Sequence, residues 1–470
     1  MKHDLRSYLA DLEAAGEILH IKKEVDVLKN VGGLAWQAEN YMGKAPMFEN
    51  VKGYPGWKVL SYLNGSRRRL AFGIGTTPEK FIPTWRELLQ KGLTPTKMVG
   101  NAPCQEVVWT GDQVDLSKLP IHKHSYLCAG PYIGGGLGIV KDPDTGIRNV
   151  SLHRHQIKGK DKMGVMMVEG RHMDLIRRKW DALNKPCPIA IAIGHHGALY
   201  LAANWTMSYG VDEMELAGTL LGEPVEMVKC KTIDMEVPAD AEVVIEGLIQ
   251  PNQRELEGPF AEHTGYARAG SGQNPWLKVT AITMRKDALF YDLQGGRPIS
   301  ESQILDGMPM EVVLFDRLKD VGSWVDLKDV VALPSAGGSH ILVIKMTPHL
   351  DGQARLVLMA ALAHQYIHTK VAIAVDDDVD PHNEKELWWS ISTRVNPAKD
   401  IFIVPDTLGH PLDASLELVT PPGHAPGVRV GSKMGIDATK PPTRLAEARA
   451  HFERAMPNGL YEYLLKDFIG

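Results

Sequence analysis

The sequence predicts a mixed α/β (α+β) protein of several units with a barrel-like β body in its middle. Three observations predict this. At 470 residues the chain exceeds what one core serves, and about 150 residues per unit gives two to four units. Its 45 glycines and 30 prolines imply many turns and short strands rather than a helix bundle. Short strand-like runs crowd the middle of the chain, whereas strands and helices alternate further on, the pattern of an α/β layer.

The elements follow in order. A small mixed α/β unit is expected over residues 1–106. Asp4 caps a helix with Leu5, Leu9 and Leu12 on one stripe, and Gly16 ends it. Ile18–Ile21 and Lys58–Leu63 read as strands; Thr77-Pro78-Glu79 opens a helix that runs to Gln90 and is closed by Lys91-Gly92. A linker with Pro95 and Pro103 leads to the central unit, expected over 107–312. There Gly136–Val140, Asn149–His153, Ile189–Ile193 and Val243–Gly247 read as strands, interrupted by helices at Met173–Leu183 and Asp212–Leu221. A third unit, 313–440, alternates Ile341–Met346, a helix from Gly352 to His368, the strand Val371–Val375 and a helix from Lys385 to Ser392. A mostly helical tail is expected over 441–470, its apolar Phe452, Leu460, Tyr463 and Leu464 docking on another surface such as a neighbouring subunit.

Bulk composition excludes several classes. Hydrophobic content of 44% and charged content of 23% are those of a globular protein. A net charge of -5 argues against a nucleic-acid or membrane-surface partner. There is no apolar run of roughly 18 residues and no apolar leader at the N-terminus. Cys104, Cys128, Cys187 and Cys230 show no C-x-x-C pair, so reduced thiols in a cytoplasmic protein are the simplest account.

The segment Glu257-Gly258-Pro259-Phe260-Ala261-Glu262-His263-Thr264-Gly265-Tyr266 is the most informative. Gly-Pro cannot lie inside a helix. Residues five apart in an extended chain point to opposite faces, so both acids reach one ligand only if the Gly-Pro turn redirects the backbone. Paired acids in a rigid turn suit proton transfer, one ionised and the other holding a proton; alone, the pattern more often marks two solvated glutamates beside a surface turn. In an extended Asn149–His155 run, Arg154 shares a face with Val150 and Leu152. That is an odd place for a solvated cation and a suitable one for gripping a carboxylate, the bland alternative being an arginine that snorkels outward. Arg171-His172 begins a helix, a site that favours phosphate but also suits a simple cap. An amide, an imidazole and a carboxylate from Asn149, His172 and Glu213 would suit a divalent metal. Lys433, bracketed by Gly431 and Gly435, can reach a phosphate or stay solvated. The chain has no P-loop, no G-x-G-x-x-G opening a βαβ unit and no G-x-S-x-G elbow.

In this order the pieces resemble the UbiD family of decarboxylases, which use prenylated flavin mononucleotide. The likeness spans most of the chain. It is carried by Asp4–Leu9, Asn149–Arg154, Glu257–Glu262, Asp376-Asp377-Asp378-Val379-Asp380, Trp389–Arg394 and Gly431–Lys440. The resemblance implies a catalytic set of Arg154, Glu257 and Glu262, and Mn2+ or Mg2+ held by Asn149, His172 and Glu213 against the cofactor phosphate. It implies cofactor contacts from Asn149, Ser151, Leu152, His153, Arg154, Arg171, His172 and Lys433, and K+ at the backbone of Ala202, Ala203 and Trp205. Arg171 stands where some members have glutamine, and Trp205 where they have methionine.

The same resemblance implies an N-terminal α/β domain, a split β-barrel flavin-binding domain, a linker helix and a C-terminal α/β oligomerisation domain with a tail helix. The expected reaction is reversible, non-oxidative decarboxylation of an aromatic or heteroaromatic acid in a cytoplasmic homo-oligomer, dimer or hexamer. A flavin prenyltransferase would supply the cofactor. Loss of CO2 leaves an unstabilised carbanion, so the cofactor serves as electron sink and Glu262 as proton donor. Arg154 and Glu257 would hold the carboxylate. Holding a proton near neutrality requires Glu262 to rise from about 4.3, through a dry pocket or a like charge such as Glu257. His153, His155 and Arg297 are expected to meet a polar ring substituent. The rival readings are a flavin oxidoreductase and a decarboxylase of a cinnamate-like acid.

Overall fold

The computed structural model describes residues 3–206, 208–267, 271–321, 325–364, 368–419, 428–440, 449–458, 460 and 462–468. Its first helix, Leu5–Ala14, begins in a capping box between Asp4 and Ser7 and buries Leu5, Tyr8, Leu9 and Leu12. The strands Ile18–Ile21, Ala45–Phe48 and Lys58–Leu60 make a sheet whose fourth member, Leu289–Tyr291, comes from far along the chain and pairs in parallel with Lys58–Leu60. Lys58–Leu60 is shorter than the strand expected to Leu63, because Tyr62 turns to a φ of 58°. Two helices absent from the sequence reading, Val31–Met42 and Arg67–Gly73, complete this part. Val31–Met42 carries Gly32 and Gly33 in its first turn, which hides it from propensity.

Nine strands form the central sheet, in the order Tyr132–Ile133, His155–Ile157, Lys162–Val165, Trp276–Met284, Val243–Ile249, Cys187–Ile193, Gly136–Lys141 and Arg148–Leu152, with Val107–Thr110 added beside Trp276–Met284. Every pairing in it is antiparallel. Ile133 and Gly136 are three residues apart, yet their strands stand first and seventh in that order. The sheet therefore curls until its two ends approach, a half-barrel that does not close. Leu152 and His155 make the same jump, from the last strand to the second. Cys187–Ile193 and Val243–Ile249 are buried almost throughout, which explains their near-continuous apolar sequence.

The implied linker helix is Glu301–Leu318, opened by a capping box between Ser300 and Gln303 and carrying Pro309 within it. It leads to a six-stranded sheet of Asp326–Ala332, Ile341–Thr347, Val371–Val375, Val428–Ala438 and Ile401–Gly409, with Glu417–Val419 beside Val428–Ala438. The crossover helix is Gln353–Leu362. It ends before the expected His368, and residues 365–367 lie outside the described ones. One apolar core runs from Leu5 to Val312, joining the N-terminal and central parts; the C-terminal sheet has a separate core on each face.

The tail meets the expectation only in part. Residues 441–448, 459, 461 and 469–470 lie outside the described ones. Residues 449–450 are helical, and the described ones beyond them are turn and coil with the 3-10 helix Leu465–Asp467. Pro457 interrupts the helical pattern, and Leu460, Tyr463, Leu464, Leu465 and Phe468 are exposed. Apolar periodicity fixes a helix only when a surface covers the stripe. The four cysteines are free. Among the described residues no helix is long and apolar enough to cross a membrane.

Candidate active site

The gap in the half-barrel is bridged by two residues, His153 and Arg154. The strand stops at Leu152, so the alternation that placed Arg154 with Val150 and Leu152 does not extend to it. The guanidinium instead turns inward across the split. Its Nε and Nη2 donate to the two carboxylate oxygens of Glu257 at 3.0 and 2.6 Å, while Nη1 donates to Glu262. All three are buried: Arg154 is 7% exposed, Glu257 0% and Glu262 5%. Glu257 ends the short strand Glu255–Glu257 and also accepts from Asn274 Nδ2 at 3.3 Å. Beyond it Gly258 sits at φ 96°, which a side chain would resist. The turn continues to Gly265, whose N–H donates to Glu262 O at 2.9 Å. This redirection brings both acids onto one arginine. Two carboxylates and one guanidinium thus share a dry site.

Behind the turn lies a network that no local pattern announces. Arg154 stands over the Phe260 ring at 5.2 Å, and that ring packs on His124 at 5.1 Å. His124 stacks on His122 at 4.4 Å, and both approach Asp292 Oδ2, at 3.2 and 3.0 Å. Asp292 Oδ1 accepts from Gly134 and Gly135 N–H at 2.7 and 3.0 Å. Gly295 donates to His124 Nδ1 at 3.2 Å and presses so close to Ala261 O that a Cβ would stand 2.5 Å from it. These contacts fix the floor of the Glu257–Glu262 turn.

Burial pushes the Asp292 carboxyl up, but His122 and His124 outweigh it and hold the group well below its ordinary value. Burial pulls His122 down, yet Asp292 outweighs that and the net direction is up. Asp292 therefore stabilises the fold above its unfolded value of about 4, and this is lost as pH falls below. His122 contributes below its unfolded value of about 6.5, and this is lost as pH rises through its higher folded value. The pair is fully formed only between those limits. Asp292→Asn is expected to lower the melting temperature by about 5 °C. Melting curves against pH should show the largest difference from wild type near pH 5 to 6, shrinking on both sides; a gap that does not vary with pH would count against the ion pair.

The second predicted set also converges. Glu213 is the first residue of its helix, capped by Asp212. Arg148 clamps Asp212 through Nε and Nη2 at 2.9 and 2.5 Å. Glu213 Oε1 accepts from Asn149 Nδ2 at 2.8 Å, and Oε2 from Val150 N–H at 2.6 Å. Burial lifts this carboxyl to about 8 despite those donors. Asn149 Oδ1 is buried without a partner. His172 opens the helix His172–Ala182, meets Tyr209 edge-on at 5.3 Å and lines one small cavity with Arg148 and Asn149. Burial, and then Arg171, lower its pKa, so it is neutral and able to ligate. An orphan amide oxygen, a neutral imidazole and a carboxyl costly to ionise alone are what a divalent cation satisfies together.

The other predicted residues divide. Ser151 Oγ meets His153 Nε2 at 2.9 Å, and His153 Nδ1 meets Met166 O at 3.0 Å. Both nitrogens of His153 are thus spent within the protein, and burial lowers it to about 4. Leu152 is the last residue of its strand and packs on the main core. His155 is wholly buried in the sheet, lowered to about 3 by burial, and Arg297 lies over the Trp36 ring at 4.6 Å. His153 is thus held within the protein and Arg297 by Trp36, while both ring nitrogens of His155 are buried without a hydrogen-bond partner. Arg171 is the N-cap residue before His172 and meets His368 Nε2 at 3.3 Å through Nη2. Lys433 is buried on the strand Val428–Ala438 and donates to Leu362 O at 2.8 Å. Among the described residues no carboxylate pairs with it, so an anion would be welcome there. Both cations bear on His368, which puts them in one neighbourhood. Ala202 and Ala203 close the helix Gly197–Ala203; Ala202 O accepts from Trp205 N–H at 3.1 Å, and Trp205 stacks on Trp85 at 4.8 Å.

Four histidines escaped the sequence reading. His263 follows Glu262, and its ring contacts His340 and His410, which in turn contacts His368. The last three sit at strand ends scattered along the C-terminal sheet, where no local spacing links them; only the place of His263 beside Glu262 was a signal.

Three family models match the chain. They are the N-terminal domain of 3-octaprenyl-4-hydroxybenzoate carboxy-lyase over residues 9–89, its Rift-related domain over 97–298 and its C-terminal domain over 303–438. Among solved structures the chain is similar to the UbiD-class enzyme HmfF from Pelotomaculum thermopropionicum in complex with FMN. The identity is 35%, with 99% of this chain and 100% of that chain covered and a TM-score of 0.89. It is similar to 3,4-dihydroxybenzoic acid decarboxylase from Enterobacter cloacae at 29% identity, covering 97% of each chain, with a TM-score of 0.87. Vanillic acid decarboxylase from Sedimentibacter hydroxybenzoicus, in open form, matches at 30% identity over 98% of this chain and 97% of that one, with a TM-score of 0.83.

Proposed function

This chain belongs to the UbiD family of carboxy-lyases, and from that premise we propose that it removes CO2 reversibly from an aromatic or heteroaromatic acid with Glu262 as the proton donor. One observation carries the reading: Glu257, Arg154 and Glu262 meet in the split of the half-barrel, buried and joined through one guanidinium.

The two acids are not equivalent. Glu257 takes both oxygens to Arg154 and a further bond from Asn274, whereas Glu262 has one guanidinium N–H. With fewer donors to hold a negative charge, Glu262 is the acid suited to carry the proton. Arg154 orients the substrate carboxylate while Glu257 holds the arginine in place and keeps the local charge negative. After CO2 leaves, the Glu262 carboxyl O–H gives its proton to the ring carbon. The resulting carboxylate is stabilised by Arg154 until it takes a proton from water.

Prenylated FMN is the cofactor this site fits, and when bound it supplies the electron sink for CO2 loss. Asn149, His172 and Glu213 would hold Mn2+ or Mg2+, which neutralises the cofactor phosphate; Lys433 and Arg171 would add to that, with Ser151, Leu152 and His153 along the same strand end. Asn149 and Arg154 are five residues apart, at most roughly 17 Å of extended chain, a span on the scale of a mononucleotide. K+ would take its place at the backbone of Ala202, Ala203 and Trp205. A flavin prenyltransferase supplies the cofactor, and the exposed apolar tail suits a homo-oligomer.

The test is direct. Protein co-produced with a flavin prenyltransferase should show a flavin absorption spectrum and exchange ring hydrogen for deuterium on at least one acid of an aromatic and heteroaromatic panel, with CO2 release. Flavin reduction by NADPH without exchange on any acid would replace this reading with an oxidoreductase.

A further inference from the structure

We propose that Tyr132 is a positioning residue for the reaction: its hydroxyl donates to Glu257 and thereby fixes the aim of Arg154 at the substrate carboxylate. This rests on the decarboxylase reading and deepens it, adding a residue that acts through Glu257 rather than on the substrate.

Placement comes first. Tyr132 opens the strand Tyr132–Ile133, which stands first in the order of the central sheet, and it is wholly buried. Its N–H donates to His122 O at 3.2 Å, and its carbonyl oxygen meets His124 Nε2 at 3.2 Å. Its backbone is therefore fastened to the two histidines that flank Asp292. Its ring packs on Phe260 at 4.7 Å, centroid to centroid. One side chain thus spans from the buried histidines to the turn that carries both acids.

The hydroxyl has two oxygens within reach. One belongs to the Glu257 carboxylate, with which it hydrogen-bonds, and the other is Pro259 O at 3.4 Å. A phenol has one proton to give. Pro259 O already accepts from Ala129 N–H at 2.9 Å, and 3.4 Å is long for an O–H donor. A carboxylate paired with a guanidinium is the stronger acceptor, so the proton goes to Glu257. Burial, and then the charge of Glu257, push the phenol well above its ordinary value, which keeps it a donor near neutrality. Gln156, opposite Tyr132 in the sheet, accepts from Gly258 N–H at 3.3 Å. The same strand pair therefore grips successive residues of the turn.

The consequence for Arg154 follows from its commitments. Its Nε and Nη2 both go to Glu257, so the guanidinium turns with that carboxylate. Each further donor on Glu257 narrows the angles it can adopt. Without the hydroxyl the pair can swing together, and displacing such a group by about 1 Å can cost on the order of 100-fold in rate.

The experiment uses cofactor-loaded enzyme and compares wild type, Tyr132→Phe, Glu257→Gln and the double variant. Phenylalanine keeps the ring on Phe260 and removes only the O–H, so melting temperature and flavin content should stay close to wild type. For an acid that wild type exchanges, Tyr132→Phe should lower kcat/KM by about 10-fold or more, the effect of one hydrogen bond to a charged group, with kcat falling and KM rising together. In the Glu257→Gln background the same substitution should cost about twofold or less, because the charged acceptor is gone. With 3-fluorotyrosine at position 132, which restores the hydroxyl, both parameters should return to within about twofold of wild type. Unchanged kinetics in Tyr132→Phe, an equal loss in both backgrounds, or no recovery with 3-fluorotyrosine overturns the proposal. Calorimetric binding of the acids separates it from the reading beneath it. Binding that Tyr132→Phe weakens only while Glu257 is present, with no exchange on any acid by wild type, keeps the role of Tyr132 and ends the decarboxylase. Wild-type exchange that Tyr132→Phe matches ends the role and keeps the decarboxylase.

Discussion

Glu262→Gln is expected to lose about a thousandfold in turnover and to keep its flavin. Glutamine preserves shape and still offers an oxygen to Arg154, so the buried network around Glu257 survives. What it cannot do is hand over a proton. The loss should appear equally in CO2 release and in deuterium exchange, because both pass through protonation of the same carbon. Flavin absorbance per chain should match wild type, since Glu262 bonds to neither Asn149 nor Glu213, the residues proposed to hold the cofactor phosphate through a cation. Near-wild-type exchange in this variant would mean that another group carries the proton. Glu257→Gln makes a useful contrast. It removes the charge that keeps Arg154 bidentate, so substrate affinity should suffer together with turnover rather than turnover alone.

Glu213→Gln is expected to weaken divalent-cation binding by about 100-fold or more and to leave much of the flavin behind on gel filtration. The reason lies in the carboxyl lifted to about 8 by burial. Without a cation this group carries a proton at pH 7; with one, the cation takes the proton's place. Wild type should therefore release close to one proton per Mn2+ bound at pH 7, read from calorimetry in buffers of different ionisation enthalpy. The release should fall away as pH rises above about 8, where the free carboxyl has already ionised. Glu213→Gln has no such proton, so its heat should not depend on the buffer. Equal proton release in both proteins would place the cation elsewhere.

Much of this site was legible because the chemistry is compressed into short strings. Glu257-Gly258-Pro259 announces a turn whatever surrounds it, since proline and glycine constrain the backbone locally. That Arg154 meets both acids was not derivable from periodicity. The strand ends two residues before it, so its direction comes from the jump across the split sheet. Glu213 was readable as a helix-start residue after Asp212 and could be drawn into a ligand set with Asn149 and His172 by chemistry, but no local spacing joins residues so far apart in the chain. Helix Glu301–Leu318 escaped local reading because Pro309 interrupts the pattern, and its packing against Asp326–Ala332 outweighs that penalty. His122, His124 and Asp292 stand far apart in the chain, and nothing in their neighbourhoods marks them as a buried trio. The tail shows the converse: its apolar residues promise a helix, but beyond residue 450 the described ones are turn and coil, and Pro457 breaks the pattern.

The strand Leu289–Tyr291 ties the opening of the chain to a point well past its middle, and Asn64 N–H reaches Glu301 across 237 residues of sequence. During synthesis the first sheet must wait, one member short, until the ribosome has released that distant segment. Closing so long a loop is slow, and the exposed edge of Lys58–Leu60 is open to mispairing meanwhile. A fragment cut at residue 106 would keep that raw edge permanently, so the N-terminal region is a dependent part of the whole rather than a module to be borrowed.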